Sequence, residues 1–215
     1  MSGHVFLIGA GPGDPGLITV RGVQCLAQAD VVLYDGLINP AILQHASHAE
    51  LICVGKHGQQ RIWTQAEIES EMLRWASQGK FVARLKGGDP AVFARAAEET
   101  EALTNANVSF EIVPGITAAL AAGSYAGIPI THRRHASAVA LVTGHQRDED
   151  ANLLDWDALA RFPGTLVIYM GVTTVREWTS ALIQGGKSID TPAAIVRRCS
   201  WSDQQVVRCT LGEVA

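Results

Sequence analysis

The sequence predicts an α/β protein: a parallel sheet with helices on both faces, followed by a smaller region with a mixed sheet. Three observations carry this. Short apolar runs alternate with amphipathic segments through the first half at the spacing of βα units. The runs are continuous rather than alternating with polar residues, as strands buried on both faces require. Past Pro114 the texture changes, and two late apolar runs stand so close together that they pair most easily as antiparallel neighbours.

In order, the first-half strands are His4 to Ile8, Val31 to Tyr34, Leu51 to Val54, Phe81 to Leu85 and Phe110 to Val113. Asn39 before Pro40 reads as an N-cap with proline at the first helical position. Thr64-Gln65-Ala66-Glu67 reads as a capping box opening a helix that Gly79 closes, with Ile68, Met72 and Trp75 on its core face. After Pro114 come a helix of small residues, a strand Ala138 to Thr143, a helix capped by Asp155 and a strand Thr165 to Met170. A second capping-box helix from Thr174 then leads to strands Ala193 to Arg197 and Gln205 to Cys209. This order gives an N-terminal parallel α/β domain at residues 1–115 and a C-terminal mixed α/β domain at 116–215.

Composition narrows the function. With 215 residues, 47% hydrophobic and 18% charged, the chain can bury a substantial core, which excludes disorder, collagen and coiled coil. A net charge of -4 offers no overall basic field, so no nucleic-acid partner is expected. The least polar stretch, Gly115 to Ile130, is shorter than the roughly 20 residues a membrane helix needs, so no membrane association is expected. The N-terminus has no basic region before its apolar run, and Cys25, Cys53, Cys199 and Cys209 form no CxxC pair. Both features predict a cytoplasmic protein with reduced thiols. His45/His48 and His132/His135 lack a carboxylate or cysteine at ligand spacing, so no metal is expected.

Candidate sites cluster after strands. The first turn, Gly9-Ala10-Gly11-Pro12-Gly13-Asp14-Pro15, allows close backbone approach by a ligand. It departs from a dinucleotide fingerprint because Asp14 stands where a third glycine is needed and two prolines remove amide donors. Asp35, an acid at the end of the second strand, keeps an NAD-linked oxidoreductase open as an alternative. Gly186-Lys187-Ser188 ends like a P-loop but lacks its first glycine, having Ala181 instead. Lys86-Gly87-Gly88-Asp89-Pro90 and Pro114-Gly115-Ile116-Thr117-Ala118-Ala119 follow the fourth and fifth strands, at the carboxyl edge where open α/β sheets bind ligands. Asp35 and Lys56 end the second and third strands at that edge and form the best acid–base pair. The run Thr131-His132-Arg133-Arg134-His135 is a candidate anion contact.

The segments GAGPGDPGLITVRG, ADVVLYDGLINP, VGKHG, ARLKGGDPAVFARAAEE, VPGITAALAAGSYAGIPITHR, LVTGH and LVIYMG run in this order across nearly the whole chain. Together they resemble the S-adenosylmethionine-dependent tetrapyrrole methylases. The resemblance implies a two-domain enzyme, usually a homodimer, with the methyl donor in a cleft between the domains and S-adenosylhomocysteine as product. It implies Pro12, Gly87, Gly88, Asp89, Val92, Phe93, Thr117, Ala118, Met170 and Ala194 as donor contacts. Asp35 and Lys56 match the family's proposed proton acceptor and donor, and Gly13, Asp14, Arg21, His132 and Arg133 would meet the substrate. The implied reaction methylates uroporphyrinogen III at C2 and C7, giving precorrin-2 on the route to sirohaem and cobalamin. Another precorrin methylase of the same fold and a non-catalytic binding module are further alternatives. Gly36 stands where relatives carry arginine, Phe93 to Glu99 has alanines where they carry glycines, which favours helix there, and the chain stops at Ala215 before the family's usual closing strand.

Overall fold

A computed structural model describes residues 3–55, 63–145 and 154–215. The chain divides into two compact units, Met1–Ala118 and Ala119–Ala215. In the first, β1 (His4–Gly9), β2 (Val31–Tyr34), β3 (Glu50–Cys53), β4 (Phe81–Lys86) and β5 (Ser109–Val113) form one sheet in the order β3-β2-β4-β1-β5. All neighbours are parallel, so the five strands end at one edge.

Successive residues of each strand serve opposite faces. Phe6, Ile8, Val32, Ala83 and Leu85 pack beneath helix α1 (Val20–Gln28) and a 3-10 helix at Pro40–Ala46. Val5, Leu7, Val31, Leu33 and Val82 pack beneath α2 (Gln65–Ser77) and α3 (Ala96–Asn105). The alternation explains the unbroken apolar runs of β1, β2 and β4, which are covered on both faces, whereas the edge strands β3 and β5 are partly exposed.

The connection after β1 therefore covers one face, and the connection after its neighbour β4 covers the other. Where adjacent strands send their chains to opposite faces, the loops diverge and leave a crevice at the carboxyl edge. Here that place is the pair of turns after β1 and β4.

Local signals set the helix starts. The Thr64 hydroxyl accepts from the Glu67 amide while the Glu67 carboxylate accepts from the Thr64 amide, completing the expected box. Gly79 follows the helix with φ +79°. Asn39 caps its helix as expected, its side chain accepting from the Ala41 amide, although the helix is 3-10.

The second unit contains α4 from Ala119 on (Ala118–Tyr125), β6 (Val139–Thr143), α5 (Trp156–Ala160), β7 (Thr165–Tyr169), α6 (Val175–Gln184), β8 (Pro192–Arg197) and β9 (Gln205–Thr210). Among the described residues it carries both strand senses in two small sheets, β6-β7 parallel and β8-β9 antiparallel. Its core is built on Ala160, Trp178, Leu182 and Leu211. Asp155 caps α5 as expected, accepting from the Ala158 amide. The capping box expected at Thr174 does not form. Thr174 has φ -110° and ψ 17° rather than the extended backbone of an N-cap, and its hydroxyl donates to the Gly144 carbonyl at 2.5 Å.

Met72 is fully buried between α2 and the sheet. Met72→Ala should cost about 3 kcal/mol of stability through the cavity it leaves, whereas Met72→Leu should cost less than about 1.5 kcal/mol. Denaturant midpoints of the two variants check this.

Candidate functional site

The turns after β1, β4 and β5 touch through their glycine backbones. The Gly11 amide donates to the Gly88 carbonyl at 3.1 Å, and the Gly88 amide donates to the Gly11 carbonyl at 2.8 Å. A Cβ built on Gly115 would lie 2.2 Å from the Gly88 carbonyl oxygen and 2.7 Å from the Gly9 Cα. Only glycine permits this contact. At Gly88 the reason for glycine is the left-handed backbone, φ +68°, since a Cβ there would meet only ordinary contacts.

Asp89 fastens the junction. Its Oδ1 accepts from the Ala91 amide at 2.7 Å and its Oδ2 from the Gly115 amide at 2.9 Å. The carboxylate thus caps its own turn and holds the turn after β5 as well. It retains acceptor capacity, because an ionised carboxylate has about four lone-pair sites. Beside it Gly87 is exposed, and a Cβ there would meet no atom within 4 Å.

The expected helix over the alanine-rich segment starts late. Residues 90–94 form turns and bends, and α3 begins only at Ala96. Phe93 and Arg95 take left-handed backbone, φ 50° and 58°, which overrides the helix propensity of the alanines between and after them. Val92 is half-buried and Phe93 exposed. Thr117 is buried, and its Cα lies 3.8 Å from the position of a Cβ on Gly88.

Asp35 follows β2 at the same edge. Its amide donates to the Leu85 carbonyl at 3.2 Å, tying it to β4. Gly55 lies against it so closely that a Cβ there would come within 2.2 Å of the Gly36 nitrogen and 2.9 Å of the Asp35 Cα. Its partly exposed carboxylate accepts from Arg84 Nη2 at 2.6 Å. Lys56 lies outside the described residues.

Behind Asp35 is a cluster that the sequence reading did not assemble. Arg84, Lys86 and Glu99 are 3%, 2% and 0% exposed, yet all carry ionisable groups. Glu99 Oε1 accepts from Arg84 Nε at 3.1 Å and from Lys86 Nζ at 2.7 Å, and Oε2 accepts from Lys86 Nζ at 2.7 Å. Arg84 Nη1 donates to the Leu85 carbonyl at 3.2 Å. Burial works against the Arg84 charge, but Asp35 and Glu99 outweigh it and hold the guanidinium above its ordinary value. Burial, followed by the nearby Arg84, pushes Lys86 down, with Glu99 opposing. Lys86, grouped by sequence with the glycine turn, is the last residue of β4 and turns inward to Glu99. Two cations at alternate positions of an otherwise apolar central strand were the available signal, since buried charge requires a counter-ion.

Residues 4–215 match the family model described as Tetrapyrrole (Corrin/Porphyrin) Methylases. The chain belongs to the tetrapyrrole methylases. It is 46% identical to a uroporphyrinogen-III C-methyltransferase of Priestia megaterium over 99% of this chain and 90% of that one. It is 51% identical to the siroheme synthase of Sodalis glossinidius over 97% of this chain but only 44% of that protein. The chain therefore spans less than half the length of the siroheme synthases it matches. Among solved structures, uroporphyrin-III C-methyl transferase from Thermus thermophilus, complexed with S-adenyl homocysteine, is similar at a TM-score of 0.85 and 40% identity, covering 99% of this chain and 90% of that one.

The remaining positions that the methylase resemblance implied fall as follows. The Gly13 carbonyl accepts from Asn39 Nδ2 at 2.9 Å, and Asp14 Oδ1 accepts from the Gly16 amide at 2.8 Å, so this turn is internally braced next to Pro12. Arg21 is engaged in the first unit itself, donating Nε and Nη2 to the two oxygens of Glu111 at 2.7 and 2.5 Å. Met170 follows β7 with φ 54° and is exposed, and Ala194 lies exposed on β8. His132 and Arg133 belong to an exposed turn in which the His132 and His135 rings stack at 4.6 Å and His132 Nδ1 accepts from the Arg134 amide at 3.2 Å.

Hydrogen bonding from Arg21 holds the Glu111 carboxyl below its ordinary value of 4.5. A depressed carboxyl stabilises the fold above its unfolded value and loses that contribution as pH falls through the folded one. The melting-temperature difference between the wild type and Glu111→Gln should therefore be present near pH 7 and shrink below pH 4.5. Thermal unfolding at a series of pH values measures it.

Proposed function

We propose that this chain is an S-adenosylmethionine-dependent methyltransferase that adds methyl groups to C2 and C7 of uroporphyrinogen III, giving precorrin-2. One observation supports this most: the glycine turns after β1 and β4 are hydrogen-bonded edge to edge beside Asp89, with Asp35 at the same edge of the sheet. Membership of the methylase family supports the reaction type.

The residues of this edge suit the donor. The open space over Gly87 and the left-handed backbone of Gly88 admit a flat, polar ligand against the main chain. Pro12, Gly87, Gly88, Asp89, Val92, Phe93, Thr117 and Ala118 would hold it, with the Asp89 carboxylate receiving hydroxyl or amine donors. The donor, when bound, supplies a methyl group activated on a sulfonium centre. The protein's work is then alignment and proton removal. Gly88 and Gly115 fix the turns that orient the ligand, and the pyrrole carbon must be held in line with the methyl. Asp35 takes the proton that leaves the macrocycle as the carbon–carbon bond forms. His132 and Arg133 are proposed to receive substrate carboxylates. Among the described residues no helix is long and apolar enough to cross a membrane, and all four cysteines are free thiols. These features support a cytoplasmic enzyme, which we take to act as a homodimer.

Incubation with uroporphyrinogen III and a methyl-labelled donor should place two labels in each product macrocycle. A macrocycle without label would overturn the reading, and calorimetric binding of NAD without binding of S-adenosylhomocysteine would favour an oxidoreductase.

Asp35→Asn should lower turnover about 100-fold while leaving S-adenosylhomocysteine affinity within about twofold, since the change keeps its shape. Asp89→Ala removes the tie to the Gly115 and Ala91 amides and should weaken S-adenosylhomocysteine binding by about tenfold or more. Titration calorimetry of both variants separates the two roles.

A further inference from the structure

We infer that Arg84 is a positioning residue that aims the Asp35 carboxylate, and that Glu99 and Lys86 form the buried anchor that keeps Arg84 in place. The inference rests on the reading of Asp35 as proton acceptor and deepens it.

Geometry carries the argument. Arg84 and Lys86 are two residues apart on the central strand β4, so both project to the face covered by α2 and α3. Asp35, two positions beyond Leu33 on β2, belongs to the same face. Arg84 spans from the interior to the edge: Nε reaches the fully buried Glu99, Nη1 the Leu85 carbonyl and Nη2 the Asp35 Oδ1. A planar guanidinium engaged at all three nitrogens has one orientation, and lysine cannot reproduce it. Glu99 is in turn clasped through both oxygens by Lys86.

Charge makes the arrangement specific. Two cations face two anions, and only Asp35 among the four has its side chain substantially exposed, at 31% against 4% or less for the others. Arg84 engages Oδ1, and among the described residues Oδ2 is the oxygen left to meet a substrate proton. Asp35 lies next to Gly36, whose lack of a side chain gives the turn no anchor of its own. The carboxylate is therefore fixed from behind, through β4.

A buried ion cluster of this kind is weak evidence for stability, because desolvation offsets much of the attraction. Its best physical use is to hold one geometry. A misaimed general base loses rate because the reaction depends on alignment at the level of about 1 Å.

The experiment is a double-mutant cycle in methyl transfer from labelled donor to uroporphyrinogen III, using the full chain. Arg84→Lys keeps the charge and should lower kcat about tenfold, with KM and the S-adenosylhomocysteine dissociation constant changed less than about twofold. Arg84→Gln should lower kcat about 100-fold. In the Asp35→Asn background neither change should lower kcat further, because the group it aims is gone. Losses that multiply across the cycle, or that fall on KM and donor affinity instead, would overturn the inference while leaving the Asp35 reading intact. Full turnover by Asp35→Asn, or no turnover by the wild type, would overturn that reading and this one with it. If Arg84→Gln fails to fold, the Arg84→Lys arm decides alone, with its melting temperature compared to the wild type.

Discussion

A parallel sheet buried on both faces has one place where polar groups can gather without becoming orphans: the edge where its strands end. In this protein that constraint organises the first unit. The strands β4 and β1 lie side by side and send their connections to opposite faces, while their turns stay hydrogen-bonded through Gly11 and Gly88 at the edge. The backbones there meet as glycine against glycine, with Asp89 binding the turns after β4 and β5 together. The proposed donor site is what remains open once these contacts are made.

The same sheet tolerates one departure from an apolar interior, and it lies directly behind the edge. Arg84, Lys86 and Glu99 are buried in the layer between β4 and α3, where a hydrophobic set would pack at least as well. Their arrangement leads outward to Asp35. Burial raises the cost of any rearrangement among charges, so the cluster is stiff where the reaction needs stiffness. Around it, Gly55 and the Leu85 carbonyl hold the Asp35 backbone.

Much of this was legible in the sequence, for physical reasons that differ between elements. The nine strands among the described residues could be read because each contains a short apolar run, such as Val31-Val32-Leu33, between turn residues. The site turns were legible because glycine and proline report backbone conformation locally. Arg84 and Glu99 were not paired in advance, since they are 15 residues apart, on a strand and on the helix that follows it, and meet only in the folded chain. The alanines of Phe93 to Glu99 favour helix, yet Phe93 and Arg95 adopt left-handed backbone, so α3 begins only at Ala96. Thr174 failed as a capping box because its backbone is not extended, φ -110° and ψ 17°, and its side chain is oriented onto the Gly144 carbonyl, 30 residues away in sequence. Local chemistry was readable, and competition from distant partners was not.

The contact of Gly55 with the Asp35–Gly36 backbone bears on how such an enzyme could diversify. No side chain can be added at Gly55 without displacing the aspartate, so the exit of β3 cannot drift independently of the chemistry. At Gly87 the opposite holds, because a Cβ there would meet no atom within 4 Å. The edge thus divides into a portion closed to variation and a portion open to it. New ligand preferences can arise at the open portion while the aim of Asp35 stays untouched.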